Sequence, residues 1–198
     1  MPDISDDTTL LLHHDCLIGA TFPYSQQWNW RDCSAPATRV VYVDNFDVSP
    51  KPIHIPGNIS VTLSSNIAHK LLADNYYRLN VMIEKKLLGR YHIVPCIHGI
   101  GSCMYDDLCE TMQEYLKNHS CPQIVTDHGF TCRCPIDGIS LYMNSLPARL
   151  NSIPPKFFFI ASGDFKVRAE LLHGSLTIGC LEVELTLSTP CTGFVCGR

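Results

Sequence analysis

Apolar and polar residues change places with period two over Arg39 to Val43, Ile59 to Leu63 (ISVTL), Leu79 to Ile83 (LNVMI), Phe165 to Ala169 (FKVRA) and Leu181 to Leu187 (LEVELTL). In the last run Leu181, Val183, Leu185 and Leu187 fall on one side and Glu182, Glu184 and Thr186 on the other. That is the pattern of antiparallel strands with one dry and one wet face. Pro50, Pro52, Pro56-Gly57, Gly89, Gly138, Pro154-Pro155 and Gly174 stand between the runs and read as turns or strand edges. The period changes once. Met104 to Lys117 (MYDDLCETMQEYLK) puts Met104, Leu108, Met112 and Tyr115 or Leu116 near one face, with acids in the first turn, and predicts a single helix. The predicted fold is mainly β and antiparallel, with one short helix.

Such strands can close as a filled sandwich or stay open as a cup around an apolar ligand, and alternation alone does not separate the two. A hydrophobic content of 45%, with only one small helix to cover the sheets, leans toward the cup. The loop Pro154 to Ile160 (PPKFFFI) leans the same way. Three adjacent phenylalanines, Phe157, Phe158 and Phe159, cannot all enter one side of a strand. Either the strand is buried on both faces, or at least one ring faces solvent, a ligand or lipid.

At 198 residues the chain suits one domain, and a chain of that size buries roughly two thirds of its unfolded surface without help from a metal. Eleven cysteines with no regular pair of Cys-x-x-Cys knuckles point to an oxidising compartment, extracellular or lumenal. Asn58-Ile59-Ser60 and Asn118-His119-Ser120 fit the glycosylation acceptor pattern and agree with it. The opening MPDISDDTTLLLHHDC lacks a basic n-region and is a poor secretory signal as written. Residues 1–29 are read as a leader or a disordered segment, and no run approaches a membrane span. Nine histidines, a net charge of -4 and a sequence pI near 6.1 make the chain net positive around pH 5, which favours transient contact with an anionic membrane surface. No basic patch with interleaved aromatics suggests nucleic acid.

The stretch CPQIVTDHGFTCRCPIDG, Cys121 to Gly138, poses the chemical question. Cys132 and Cys134 are two apart and share a face if extended, but a bond between them would strain the ring, so each needs a partner elsewhere. Cys109 and Cys121 are near in sequence, and Cys96 with Cys103 can close the small loop PCIHGIGSC. Zinc held by cysteine with His98, His119 or His128 is the rival, without recognisable spacing. No cysteine is marked as an activated nucleophile. For hydrolysis, Gly99-Ile100-Gly101-Ser102 is only part of a nucleophile turn, and Asp127-His128 and His13-His14-Asp15 lie in a loop and a chain end. Catalytic residues, metal and cofactor are all read as none.

Ile55 to Leu63 (IPGNISVTL), Leu79 to Cys109, Cys121 to Pro135 and Ser162 to Cys180 (SGDFKVRAELLHGSLTIGC), taken in order, resemble the GM2 ganglioside activator protein family, over about Trp30 to Leu187. The carrying motifs are P-G-N-[IV]-[ST], P-C-x6-C, a helix cysteine, C-P, C-x-C-P and a late G-C. The resemblance implies an eight-stranded antiparallel β-cup with a lipid-sized apolar cavity, related to ML-type lipid-recognition domains. It implies the pairs Cys33 with Cys180, Cys96 with Cys103, Cys109 with Cys134, and Cys121 with Cys132. It also implies a secreted or lysosomal, non-enzymatic activator. Such a protein binds the tails of a glycosphingolipid or phospholipid, lifts the headgroup from the membrane and presents it to a soluble lysosomal β-hexosaminidase-like glycosidase.

The alternatives are a secreted ML-type module that senses lipids for a receptor, and a small lipid hydrolase. The expected lining is Val61, Leu63, Leu79, Val81, Ile83, Tyr91, Ile93, Val167, Val183 and Leu185, with Phe157 to Phe159 at the rim. Tyr91 stands where the family has tryptophan. The tail at 188–198, STPCTGFVCGR, extends past the family's usual end and adds Cys191 and Cys196, which can close a small loop and leave Cys16 odd. Binding to anionic vesicles is expected to strengthen from pH 7 to pH 5 as histidines gain charge; equal binding at both values in a sedimentation assay refutes this.

Overall fold

A computed structural model describes residues 27–189 apart from 75, 122, 128 and 153–161, and apart from the side chains at 115 and 124. In chain order the elements are β1 (Trp28–Asp32), β2 (Val41–Ser49), β3 (Ile53–His54), β4 (Gly57–Ile67), β5 (Tyr77–Leu87), β6 (Arg90–Ile93), β7 (Cys103–Tyr105), α1 (Leu108–Asn118), α2 (Gln123–Thr126), β8 (Ser140–Leu150), β9 (Gly163–His173) and β10 (Leu176–Ser188). The larger sheet runs β1-β10-β9-β5-β6, with β3 added to β10 and β7 to β5; the smaller runs β2-β4-β8. Every pairing is antiparallel except that of β3 with β10. Setting aside β3 and β7, of two and three residues, leaves eight longer antiparallel strands. The fold is the mainly β, cup-like one.

Local chemistry explains the boundaries. Leu87 pairs with Arg90 across Leu88-Gly89, whose φ values of 49° and 81° are both positive, as a two-residue hairpin turn of the right hand requires. The predicted helix from Met104 is corrected at its start. Met104 lies in β7 opposite Asn80, and the helix begins at Leu108. The Asp107 carboxylate accepts from the Glu110 amide at 2.9 Å, which caps the first turn, and Cys103 before it is tied to Cys96. β8 has no strict alternation in sequence because it carries an extra residue opposite Thr62. Ser145 there has φ 54° and donates its amide to Thr62 Oγ1, and Pro147 two residues later has no N–H to give.

The packed core sits at one end. Leu71, Tyr77, Cys109, Ile136 and Ile178 are buried together, with Val40, Val41, Ile67, Leu108, Met112 and Leu171 against them, so this cluster draws on both sheets and on α1. Disulfides hold the same end. Cys109–Cys134 ties α1 to the Cys-x-Cys segment, and Cys121–Cys132 closes the loop between. Cys132 and Cys134 thus each bond to a different partner. Cys33–Cys180 joins the end of β1 to β10 with Cα atoms 4.9 Å apart. Beside it Asp32 accepts from the amides of Ser34 and of Val43 in the other sheet, both at 2.7 Å, and the Val40 amide donates to the Ile178 carbonyl at 2.7 Å. Gly179 allows the approach, since a Cβ there would come 3.1 Å from that of Val41.

The Cys33–Cys180 bridge spans 147 residues and Cys96–Cys103 only 7. In the loop-entropy account the first is worth about 5 kcal/mol and the second roughly half that. Cys33→Ser with Cys180→Ser is expected to lower Tm by roughly 10–20 °C and the shorter bridge's double variant by clearly less; equal losses in a melting experiment would remove the long-range role.

Candidate functional site

The register of the larger sheet sorts its side chains into two faces. Trp28, Leu185, Phe165 and Lys85 form one row across four strands, Trp30, Val183, Val167 and Ile83 the next, and Asp32, Leu181, Ala169 and Val81 a third, followed by Leu171 with Leu79. In the smaller sheet Phe46, Leu63 and Met143 share a row, as do Val48, Val61 and Leu146. The apolar faces meet along one edge, where the Trp28 and Phe46 rings stack at 5.8 Å and Lys51 Nζ lies 4.7 Å from the Trp28 ring centre. Lys51 also pairs with Asp47.

Away from that edge the two faces do not seal each other. Val61, Leu63, Leu79, Val81, Ile83, Val167 and Leu185 are all only partly buried, although they lie on the inner faces of the sheets. Val183 is buried. Apolar side chains at such positions in a filled sandwich would be closed off. The arrangement is a cup with the core cluster at one end and these partly buried apolar rows between its two sheets.

Tyr91 and Ile93, expected in the lining, are placed elsewhere. The Leu88-Gly89 turn pairs Tyr91 with Lys86 and Ile93 with Glu84, so both lie on the outward face, where Ile93 is 62% exposed and Lys86 Nζ sits 5.9 Å from the Tyr91 ring centre. Phe157, Phe158 and Phe159 fall outside the described residues, as do His13, His14, Asp15, Cys16, His128, Cys191 and Cys196. Asn58 and Asn118, the sequon asparagines, are both exposed. Ser102 is not placed as a nucleophile: its hydroxyl accepts from the Ile83 amide at 2.9 Å and donates to the Ile83 carbonyl at 3.0 Å, bracketing β5. Among the described residues no cluster of three or more histidine, cysteine, aspartate or glutamate side chains could hold a metal ion, and no helix is long and apolar enough to cross a membrane.

The outward face of the larger sheet is a lattice of charges. Glu182 is buried between Arg31 at 2.8 Å, Lys166 at 3.2 Å and Arg168 at 3.9 Å; Arg168 also meets Glu170 at 2.8 Å. A groove of about 300 Å³ runs over Met82, Glu84, Lys166, Arg168, Glu170 and Glu182. Alternating charge leaves it poorly suited to lipid tails.

A family model described as the ML domain matches residues 27–187. The chain belongs to the ML domain family. This ML domain is similar to the ganglioside GM2 activator of Mus musculus, 25% identical over 163 residues that are 81% of each chain. It is also similar to the ganglioside GM2 activator of Macaca fascicularis, 23% identical over 163 residues, 81% of this chain and 83% of that one. Among solved structures it aligns with a Niemann-Pick type C2 protein from Japanese carpenter ant, at 13% identity and a TM-score of 0.41, covering 81% of this chain and 99% of that one.

Sequence reasoning overlooked two groups. Lys85 is an inward-facing cation that a search for apolar lining passes over, and Trp28 falls in the segment assigned to a leader. Glu182 yields a pH test. The Arg31 hydrogen bond holds its carboxyl below the usual glutamate range; burial opposes this, and Lys166 adds to the lowering. A folded pKa below the unfolded one means stability that is present above the unfolded pKa, about 4.3, and lost as pH falls through the folded value. Glu182→Gln is therefore expected to destabilise the protein at pH 7 and pH 5 alike, the gap closing below about pH 4. Melting curves across pH check it; a gap unchanged at pH 3 would assign the loss to packing alone.

Proposed function

We propose that this ML-domain protein is a non-enzymatic lipid carrier of the secretory pathway and lysosome. It takes the apolar chains of a glycosphingolipid or phospholipid into the cup and lifts the headgroup clear of an anionic membrane surface. It then offers that headgroup to a soluble glycosidase of the β-hexosaminidase kind. The observation that carries the reading is the contrast between two parts of one interior. The floor is closed by five buried residues, whereas Val61, Leu63, Val81, Ile83 and Val167 remain open to contact on facing sheets. Each methylene moved from water into such a space recovers about 0.8 kcal/mol, so two acyl chains supply the drive for extraction. The likeness to two proteins named ganglioside GM2 activator supports a glycolipid among the cargoes.

Native mass spectrometry of the full chain secreted from eukaryotic cells, followed by organic extraction, tests the reading. One sphingolipid or phospholipid per chain is the expected result. A ligand-free protein that also refuses added lipid in a vesicle transfer assay overturns it. Release of cleaved lipid in that assay would make the protein a hydrolase. Transfer of intact lipid without stimulation of any glycosidase would favour a recognition module.

A further inference from the structure

The outer faces of the two sheets carry different chemistry. On the larger one, arginine, lysine and glutamate interlock around Glu182. On the smaller one the central strand β4 points Asn58, Ser60, Thr62, Ser64 and Asn66 outward, because Val61 and Leu63 between them face inward. No charged side chain stands in that row, although a soluble surface is ordinarily strewn with both signs. The flanking carboxylates are engaged: Asp47 pairs with Lys51, and Asp44 accepts from the Asn66 side-chain amide, whose own oxygen accepts from Ser140. Arg149 stands beside the first position of the row, opposite Asn58. Tyr142 stands on β8 opposite Ser64 and is 60% exposed.

This face carries the means of its own covering. Asn58-Ile59-Ser60 fits the glycosylation acceptor pattern, and β4 turns its asparagine and serine outward and Ile59 inward. Asn58 is exposed and stands at the start of the row. Attachment joins the Asn58 amide nitrogen to C1 of the first sugar and breaks that carbon's bond to the diphosphate of a lipid-linked oligosaccharide, which leaves as the nitrogen gives up one proton. Ser64, with Tyr142 opposite, is six residues further along the strand, about 20 Å away. Sugar hydroxyls both donate and accept, and serine, threonine and asparagine side chains do the same with no charge to desolvate. The tyrosine ring offers a flat apolar face to the C–H side of a sugar while its hydroxyl stays in water. The second acceptor, Asn118, is the last residue of α1 and has no such sheet face running from it.

We infer that an N-linked glycan on Asn58 lies along the outer face of the β2-β4-β8 sheet, running from Asn58 toward Tyr142, and covers that face while the charged face of the larger sheet stays bare. The covering shares with the carrier reading only the secretory route and depends on no lipid.

Hydroxyl-radical footprinting of the full chain secreted from eukaryotic cells tests it, because the bare chain supplies a matched pair. Tyr142 and Tyr76 are each 60% exposed, and Tyr76 lies away from this face, beside His173 of β9. Glycopeptide mass spectrometry is expected to find Asn58 occupied. In that protein Tyr142 is expected to be oxidised about threefold more slowly than Tyr76, the value for a face covered about two thirds of the time. Asn58→Gln, or trimming to the first sugar with an endoglycosidase, brings the two rates to within about 1.5-fold of each other. Asn118→Gln leaves Tyr142 protected. The inference is overturned if Asn58 is unoccupied, if Tyr142 is oxidised as fast with the glycan as without it, or if Asn118→Gln exposes Tyr142 as Asn58→Gln does. Equal protection of Tyr76 also overturns it, since a freely swinging glycan shades both rings. Lipid is read separately: loss of protection in a protein that carries lipid overturns the covering alone, and a protein that refuses lipid while Tyr142 stays protected overturns the carrier reading alone.

Discussion

The two sheets are pinned to each other at both ends of β10, and the partly open interior lies between the pins. Asp32 bridges from β1 to the Val43 amide in β2, the Val40 amide reaches β10, Gly179 lets Val41 close in, and beside this junction Cys33–Cys180 locks the end of β1 to β10 within the larger sheet. Below them the helix and its disulfides fill the space with Leu108, Met112 and Cys109. At the other end of β10 the short strand β3 pairs with Leu187 and Ser188, the Ile55 amide donates to the Ser188 carbonyl, and the Trp28 and Phe46 rings stack across the two sheets.

The two faces of the larger sheet divide the labour. Rows of Val, Leu and Ile point inward, and rows of Arg, Lys and Glu interlock outward around Glu182. Period two requires that each inward apolar residue be flanked by outward ones, so the lattice is the necessary reverse of the lining. A buried glutamate with three cations near it holds β1, β9 and β10 in register from outside. The interior is relieved of that task and can remain soft. Asp32 and Lys85 are charged side chains in the inner-face rows, Asp32 reaching the Val43 amide of the other sheet and Lys85 lying over the Phe165 ring.

Much of this was legible in the sequence, and the failures have physical causes. The alternating runs in β4, β5, β9 and β10 were readable because both sides of each strand have contrasting solvents. β8 was not, because Ser145 adds a residue and Pro147 interrupts the polar side. The helix was extended back to Met104 because a methionine four positions before Leu108 fits helical spacing. Asp107, the cap, is the residue that argues otherwise. Tyr91 and Ile93 were assigned to the lining as apolar neighbours of β5; the two-residue turn at Leu88-Gly89 fixes their register on the opposite face, a result that depends on turn length rather than on hydrophobicity. The cysteine pairing had no source in spacing and came only through family resemblance. Lys85 was passed over because a pattern argument treats an inward lysine as noise.

The irregularities of β8 have a consequence for life in solution. β8 is an edge of its sheet, and an open cup already exposes more apolar surface than a sealed fold would. A long, regular edge beside such surface invites a second molecule to add its own strand, and then a third. With the residue-145 bulge bending the strand and a proline in its second half, that edge offers no uninterrupted ladder on which a neighbour could register. At that edge the strand carries its own obstacle to pairing with a second molecule.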